Sequence, residues 1–515
     1  MNSKISIICL ALILCLLESF PAFAQRQSPE LRDKFFPDPA VEMNTPGFKK
    51  TLGFMTSNEM MSFLEEQVKK RDDIVKVRFA GESMSGKKIP VVYVGKDDNS
   101  SKVRIWMQGG LHGNEPAGSE SLLMFIDELV ASKNIDSILN FVSFAFAPMA
   151  NIDGYEKQVR DNDNEADLNR DQVTLEQQES VYLKQAFTGF SPMVAIDFHE
   201  FRPFKKEMDH FSADKLCIAQ DVLFLPSGNL NIPVQLRDIT NGLFLDNIKT
   251  ALSKNNIAFA GYFVPGSRSS GVNVLRIGGD SPRSSSTSYG LTNSVSILIE
   301  IRGIGQGRDS YKRRVYSGFL IANSILETTL KYRARVNKAV ETSVRATIKR
   351  TNPIVLHVVP RIYQGSMNFI DTKTLKLATL SIEMEDAGRS KAVSIRKRPQ
   401  AYLLLVQDAA IARKLQILGL QIDTLKRDMS FNTEVFTGES KVINEGTKVV
   451  SAFSISLQKR IFPKGSFLIS TAQKNANVLV SALEPEMGNG YYKYKMIKAK
   501  PDGEIPIYRC MGGVK

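Results

Sequence analysis

The sequence predicts an α/β domain with a mostly buried sheet flanked by helices, followed by a β-rich C-terminal domain. Three observations carry this expectation. Apolar runs of strand length alternate with helical segments through the first two thirds of the chain. A long stretch, residues 311–349, has helical character and closes that part. From about Asn352 short β-prone runs take over. At 515 residues the chain is too long for one compact core, and 43% hydrophobic and 23% charged residues is an ordinary globular balance.

The first residues read as a secretory signal peptide over 1–24. Lys4 precedes an apolar run at 5–17, and Pro21-Ala22-Phe23-Ala24 offers a small-x-small cleavage site. The run is well short of the roughly 20 residues that span a bilayer as a helix. An exported protein, periplasmic or extracellular, starting at Gln25 and without a stable membrane span is therefore expected. Cys9 and Cys15 leave with the peptide; Cys217 and Cys510 stay, and whether they pair is open. The formal charge of +13 is spread along the chain, with only small clusters such as Lys312-Arg313-Arg314 and Arg396-Lys397-Arg398. No nucleic-acid motif accompanies it, so a solvated basic surface is expected and nucleic acid is not an expected partner.

Taken in order, residues 25–50 are polar and proline-containing and read as an extended leader. Thr56-Ser57-Asn58-Glu59 has capping-box spacing, and Met60, Met61, Phe63 and Leu64 supply the apolar positions of the helix it opens. Strands are expected at 74–79 and 89–94 around a glycine turn at 81–86. Further strands are expected at 103–107, 141–147, 193–198 and 295–301, with a helix at 121–130. The first domain then spans 51–349. In the second, 350–515, strands are expected at 354–359, 402–406, 448–456 and 467–470, and a helix at 408–418 that stops near Gly419.

The sharpest chemical feature is Gly109-Gly110-Leu111-His112-Gly113-Asn114-Glu115, directly after the 103–107 strand. A histidine and a glutamate three apart, just past a strand end, can turn toward one ion. A catalytic zinc needs three protein ligands and an open position. The third ligand must lie elsewhere among four histidines. His199, in Ile196-Asp197-Phe198-His199-Glu200, again ends an apolar strand, and a short spacer followed by a long one is a common layout for such a site. His357 sits in a strand-like run and reads as packed; His210 reads as part of a charged surface loop.

Between the ligands come Asn151-Ile152-Asp153-Gly154-Tyr155, then Arg160, then Asp167-Leu168-Asn169-Arg170. A hydrolase needs a cation near the carbonyl oxygen that turns negative. Arginine's planar fork suits a terminal carboxylate, although alone an Asn-Arg pair reads as ordinary surface. Glu300 interrupts the apolar strand Ser296-Ile297-Leu298-Ile299-Glu300-Ile301-Arg302. A charge there is costly unless it is paired, with Arg302 for example, or moves protons beside a metal.

In this order, over about residues 55–335, these motifs resemble the zinc carboxypeptidase family, the metallopeptidases related to carboxypeptidase A. Gly81-Glu82-Ser83 with Gly86-Lys87 is similar to the family's early strand–turn segment. The resemblance implies a mixed, mostly parallel sheet flanked by helices and one zinc ion on His112, Glu115 and His199. It implies that Glu300 is general base and acid toward zinc-bound water and that Arg160 stabilises the oxyanion. It further implies that Asn169 and Arg170 clamp a C-terminal carboxylate, that Asp167 supports a metal-bound histidine, and that a tyrosine, here Tyr289, closes over the peptide substrate. The chain departs from the family in Ile152, which replaces a proline, in a short interval from Arg160 to Asp167, and in a charged segment after His199 comprising Glu200, Arg202, Lys205, Lys206 and Glu207. That segment reads as a solvated loop. Residues 350–515, through Pro463-Lys464-Gly465-Ser466-Phe467 and Leu483-Glu484-Pro485, resemble the trailing region of some large bacterial members, implying an accessory domain.

Two other hydrolase readings stay open. One is an amidohydrolase of acyl-amino acids, related to aspartoacylase and succinylglutamate desuccinylase, where His-Gly-Asn-Glu and Asp-Leu-Asn-Arg also occur. The other is an amidase of cell-wall peptides. A peptide- or glycan-binding module on an inactive peptidase fold is the non-enzyme alternative, and it requires a lost ligand or base. The Asn151-x-Asp153-Gly154 segment and the signal peptide favour the peptidase.

Overall fold

A computed structural model describes residues 26–96, 102–211, 215–268, 270–438, 443–445, 448–450 and 453–512. The expected signal peptide lies outside the described residues. The organising element is an eight-stranded mixed sheet built from β1 (Val75–Glu82), β2 (Lys88–Val94), β3 (Val103–Gly109), β4 (Val142–Ala147), β5 (Val194–Phe201), β7 (Val222–Pro226), β8 (Phe259–Gly261) and β11 (Val295–Arg302). Their order is β1-β2-β4-β3-β5-β11-β7-β8. The centre, β4-β3-β5-β11, is parallel throughout. β5 is buried along its whole length, as a strand covered on both faces must be. Helices Pro116–Ala131 and Tyr311–Lys349 are among those packed on this sheet, and the observed architecture is the expected α/β sheet flanked by helices followed by a β-rich region.

Local sequence rules account for several boundaries. The Thr56–Glu59 capping box forms, with both reciprocal hydrogen bonds, at the start of helix Ser57–Lys70. The helix expected at 121–130 begins earlier, because Pro116 occupies its first position, where a missing N–H costs nothing. In the expected leader, residues 26–50 are not simply extended. They contain a helix at Pro29–Phe35, and they are docked: Gln27 Nε2 donates to Ser310 Oγ (3.1 Å) and Gly47 N donates to Glu120 Oε1 (2.8 Å).

Two charged clusters expected to be solvated are partly buried instead. Arg313 pairs with Asp221 (2.7 Å) and Arg314 with Glu200 (2.5 Å), and all four residues are buried. Counter-charges remote in sequence make that burial tolerable. Arg398 is also buried, donating to Asn477 Oδ1 (2.9 Å).

The boundary expected at residue 349 coincides with a helix end, but the next element belongs to both parts. β12 (Ile354–Asp371) and β13 (Lys376–Arg396) form a long hairpin. Its far half pairs with β6 (Leu216–Ile218) on one side and β10 (Asn273–Ile277) on the other, with β9 (Phe263–Ser267) beyond, as the sheet β6-β12-β13-β10-β9.

A six-stranded antiparallel sheet follows, containing β14 (Ala401–Leu404), β15 (Asp423–Thr424), β16 (Met429–Thr437), β19 (Ser454–Phe462), β20 (Phe467–Ser470) and β21 (Glu504–Gly512). The strand expected at 448–456 is instead divided between β18 (Lys448–Val450), which pairs with β17 (Ile443–Glu445), and the start of β19. Alternation along the strands gives this sheet two apolar faces. Tyr402, Leu404, Ile505 and Ile507 join the core of the first part, whereas Ala401, Leu403, Tyr508 and Cys510 form a separate cluster on the other side. One face of the C-terminal sheet therefore extends the core of the first part, and the other carries a smaller core of its own. Cys217 and Cys510 are both buried free thiols in different sheets.

Candidate metal centre and substrate cleft

The carboxyl ends of β3, β5 and β11 lie side by side, the place where α/β sheets bind ligands. His112 and Glu115 sit in the loop leaving β3, His199 near the end of β5, and Glu300 opposite His199 on β11. The loop after β3 folds as it does because Gly113 passes against the Gly154 backbone, where a Cβ would collide with the carbonyl carbon. Asn151 holds the same corner: its N–H donates to Gly110 O (2.8 Å) and its Oδ1 accepts from Gly154 N (3.0 Å). Ile152, in place of a proline, opens the short helix Ile152–Lys157 and is buried. Asp153 accepts from Ser85 N (3.1 Å), tying down the glycine turn between β1 and β2.

His112, Glu115 and His199 converge and are all buried. His112 Nδ1 lies 2.7 Å from Glu115 Oε1, His199 Nδ1 lies 2.9 Å from Glu115 Oε2, and the two Nδ1 atoms are 3.0 Å apart. Each ring turns its other nitrogen to a carboxylate: His112 Nε2 to Asp167 Oδ1 (3.1 Å) and His199 Nε2 to Asp197 Oδ2 (2.8 Å). A carboxylate in that position holds the ring proton on Nε2 and leaves the Nδ1 lone pair free. Two lone pairs and a carboxylate this close repel unless a cation or an extra proton lies among them. The donor set, two imidazole nitrogens and a carboxylate, fits zinc. Burial opposes ionisation of Glu115, but the two histidines hold its pKa below the ordinary carboxylate value.

The remaining expected residues are placed unequally. Arg160 is brought to the cluster because Gly113 N and Asn151 Nδ2 both donate to its carbonyl (3.3 Å each). Its Nη1 lies 3.2 Å from His112 Nδ1, and its Nη2 donates to Asp167 Oδ2 (2.8 Å). Asp167 thus bridges His112 and Arg160. Asn169 is buried; its Oδ1 accepts from Ser285 N (2.8 Å), which leaves the Nδ2 donor for a ligand. Arg170 is exposed, with Nη1 donating to Asn169 O (2.9 Å).

Glu300 makes no hydrogen bond or ion pair among the described residues. Arg302 is no partner for it, because its Nη1 donates to Ile218 O (2.5 Å) and its guanidinium lies 3.9 Å from the Phe36 ring centroid. Burial, and then the Glu115 carboxylate, push the Glu300 pKa up.

Tyr289 does not reach the cleft. It is buried in the helix Ser285–Leu291, its hydroxyl donates to Gln108 Oε1 (3.1 Å), and its ring stacks on Phe187 (4.2 Å). The tyrosine that is within electrostatic reach of Glu300, Arg170 and Arg160 is Tyr262, between β8 and β9. Its sequence signal was weak, since a tyrosine flanked by Gly261 and Phe263 looks like one more strand aromatic.

The charged segment after His199 divides. Glu200 is buried and accepts from Ala117 N (2.6 Å), while Arg202, Lys206 and Glu207 are exposed. Lys205 is partly buried, 5.9 Å from the Tyr262 ring centroid and within electrostatic reach of Glu300.

Residues 60–192 match the family described as zinc carboxypeptidase. Carboxypeptidase 2 of Trichophyton tonsurans is 30% identical over 442 residues, covering 83% of this chain and 81% of that protein. Carboxypeptidase 2 of Trichophyton rubrum is 28% identical over 504 residues, covering 95% and 92%, so the likeness continues through the C-terminal region. Among solved structures, a metallo-carboxypeptidase from Burkholderia cenocepacia is similar at 15% identity and a TM-score of 0.42, over 54% of this chain and 70% of that one.

Proposed function

The chain belongs to the zinc carboxypeptidase family, and from that premise we propose that it removes single C-terminal residues from peptides, with His112, Glu115 and His199 holding one zinc ion. The observation that carries the reading is the pair of facing Nδ1 atoms closed by Glu115, with an unpaired Glu300 on the adjacent strand. When bound, zinc supplies a water acidic near neutral pH and a Lewis acid for the scissile carbonyl.

The side chains divide the remaining work. The Glu300 carboxylate takes a proton from the attacking water and delivers it to the leaving amine nitrogen, a transfer its raised pKa suits. Arg160, fixed by Asp167, turns its guanidinium toward the oxygen that becomes negative. Asn169 Nδ2 and the Arg170 guanidinium receive the terminal carboxylate, which makes cleavage exo rather than endo. Tyr262 takes the covering role first expected of Tyr289.

Incubation with a mixed peptide library, read by mass, should show loss of single C-terminal residues. Arg170→Ala should raise KM for peptides with a free C-terminus by about tenfold or more. C-terminal amidation of the same peptides should slow the parent enzyme. Internal cuts, or release of acyl groups, would instead favour an endopeptidase or an amidohydrolase.

Export belongs to the same proposal, with residues 1–24 as the signal. Gln27, close behind the expected cut, is already anchored, its backbone N–H donating to Gln306 Oε1 (2.9 Å). Recovered outside the cytoplasm, the protein should begin at Gln25 on N-terminal sequencing; residues 1–24 still attached there would contradict this. No helix among the described residues is long and apolar enough to cross a membrane.

A further inference from the structure

Directly after Arg170 the chain folds into a knot around Asp171. The Asp171 carboxylate accepts from Thr174 Oγ1 (2.6 Å), Glu176 N (2.8 Å) and Gln177 N (2.8 Å). Inside the knot Leu175 has a φ of 51°. A branched side chain in the left-handed region persists only where its surroundings over-determine it.

Those surroundings come from the C-terminal region. Three successive carbonyls of the knot are taken by two of its residues. Tyr491 Oη donates to Val173 O (2.9 Å), and Lys414 Nζ donates to Thr174 O (2.8 Å) and Leu175 O (2.6 Å). Tyr491 is buried, and Lys414 lies on the helix Ala409–Ile417. A third contact arrives through Arg283. Its Nε donates to Arg170 O (2.5 Å), its carbonyl accepts from Gln172 N (3.3 Å), and its guanidinium lies 4.3 Å from the Tyr494 ring centroid. Among the described residues the Arg170 side chain has only its own neighbour's carbonyl as a partner, so its placement depends on this backbone.

We propose that the C-terminal region is the positioning element of the substrate-carboxylate clamp, with Lys414, Tyr491 and Tyr494 as positioning residues that act on Arg170 through the 171–175 knot and Arg283. The inference rests on the reading of Asn169 and Arg170 as that clamp. It gives the accessory region a role in substrate binding rather than in proton transfer or metal binding, because Lys414, Tyr491 and Tyr494 meet the segment beside Arg170. A surface loop left to itself is mobile, and displacement of a binding group by about 1 Å costs up to about a hundredfold.

The test uses the full chain with zinc bound, in Lys414→Met/Tyr494→Ala and, separately, Tyr491→Phe, which keeps the ring. KM and kcat are measured on a short peptide with a free C-terminus and on its C-terminal amide, alongside zinc content, thermal unfolding and Arg170→Ala. The double variant should raise KM for the free acid about tenfold, with kcat within about twofold and the amide unaffected. Tyr491→Phe should move KM the same way by less. Added to Arg170→Ala, the double variant should raise KM no further, as expected of groups acting through one another. If Arg170→Ala raises KM and neither positioning variant does, or if free acid and amide suffer equally, the proposal is overturned and the clamp stands. If Arg170→Ala leaves KM unchanged, the clamp reading itself fails and this inference falls with it.

Discussion

Glu300→Gln should reduce peptide turnover by about 10²–10⁴-fold while zinc stays at one ion per chain. The amide keeps the size and the strand position of the carboxylate but cannot accept the proton of the attacking water. Nothing else need move, because Glu300 has no hydrogen-bond or ion-pair partner among the described residues to lose. Its carboxylate also faces Glu115, and burial with that neighbour pushes its pKa up. Neutralising it removes a repulsion, so thermal unfolding should shift upward or stay level. The checks are kcat on a free-acid peptide, elemental analysis and a melting curve. Unchanged turnover would remove Glu300 from the mechanism, and lost zinc would recast it as a ligand.

His199→Ala should lose both zinc and activity. Alanine removes one of the three converging donors and leaves Glu115 Oε2 with only the Glu200 N–H (3.0 Å). Loss of a carboxylate that merely supports a ligand costs roughly 10–100-fold in metal affinity, and loss of the ligand itself should cost more. Turnover should fall to background. The fold should survive, because residue 199 keeps its backbone pairing between β5 and β11. Asp197, which gives up its bond to His199 Nε2, retains Gln108 Nε2 at 3.2 Å, so a loss of about 1–3 kcal/mol is expected. Dialysis against a chelator followed by metal analysis checks this; zinc retained at one per chain would show that the ion sits elsewhere.

The parts of the site legible in the sequence share a physical mark. His112, Glu115 and His199 follow apolar runs that end abruptly, and Glu300 breaks one; polar residues at such points are either paired or at work. The structure brings these four together with Arg160 and Asp167. The illegible parts depend on partners remote in the chain. Arg313 and Arg314 looked like surface until Asp221 and Glu200 supplied buried counter-charges. Tyr289 packs on Phe187 and bonds Gln108, both remote in the chain, and no local pattern records that its hydroxyl is taken in this way. Five short strands, β6 to β10, have no counterpart among the expected elements; β6 and β10 pair with the hairpin that begins at Ile354, and β7 with β11, partners remote in the chain. The continuous core beneath β14 and β21 was hidden for the same reason: alternation announces two apolar faces without saying what covers them.

Anomalous X-ray scattering from crystals of the zinc-loaded protein, collected on both sides of the zinc edge, decides whether these three side chains hold the ion. One strong peak is expected, about 2.0–2.2 Å from His112 Nδ1, His199 Nδ1 and a Glu115 carboxylate oxygen. A peak at another place, or no edge-dependent peak at these three residues in active protein, would contradict it.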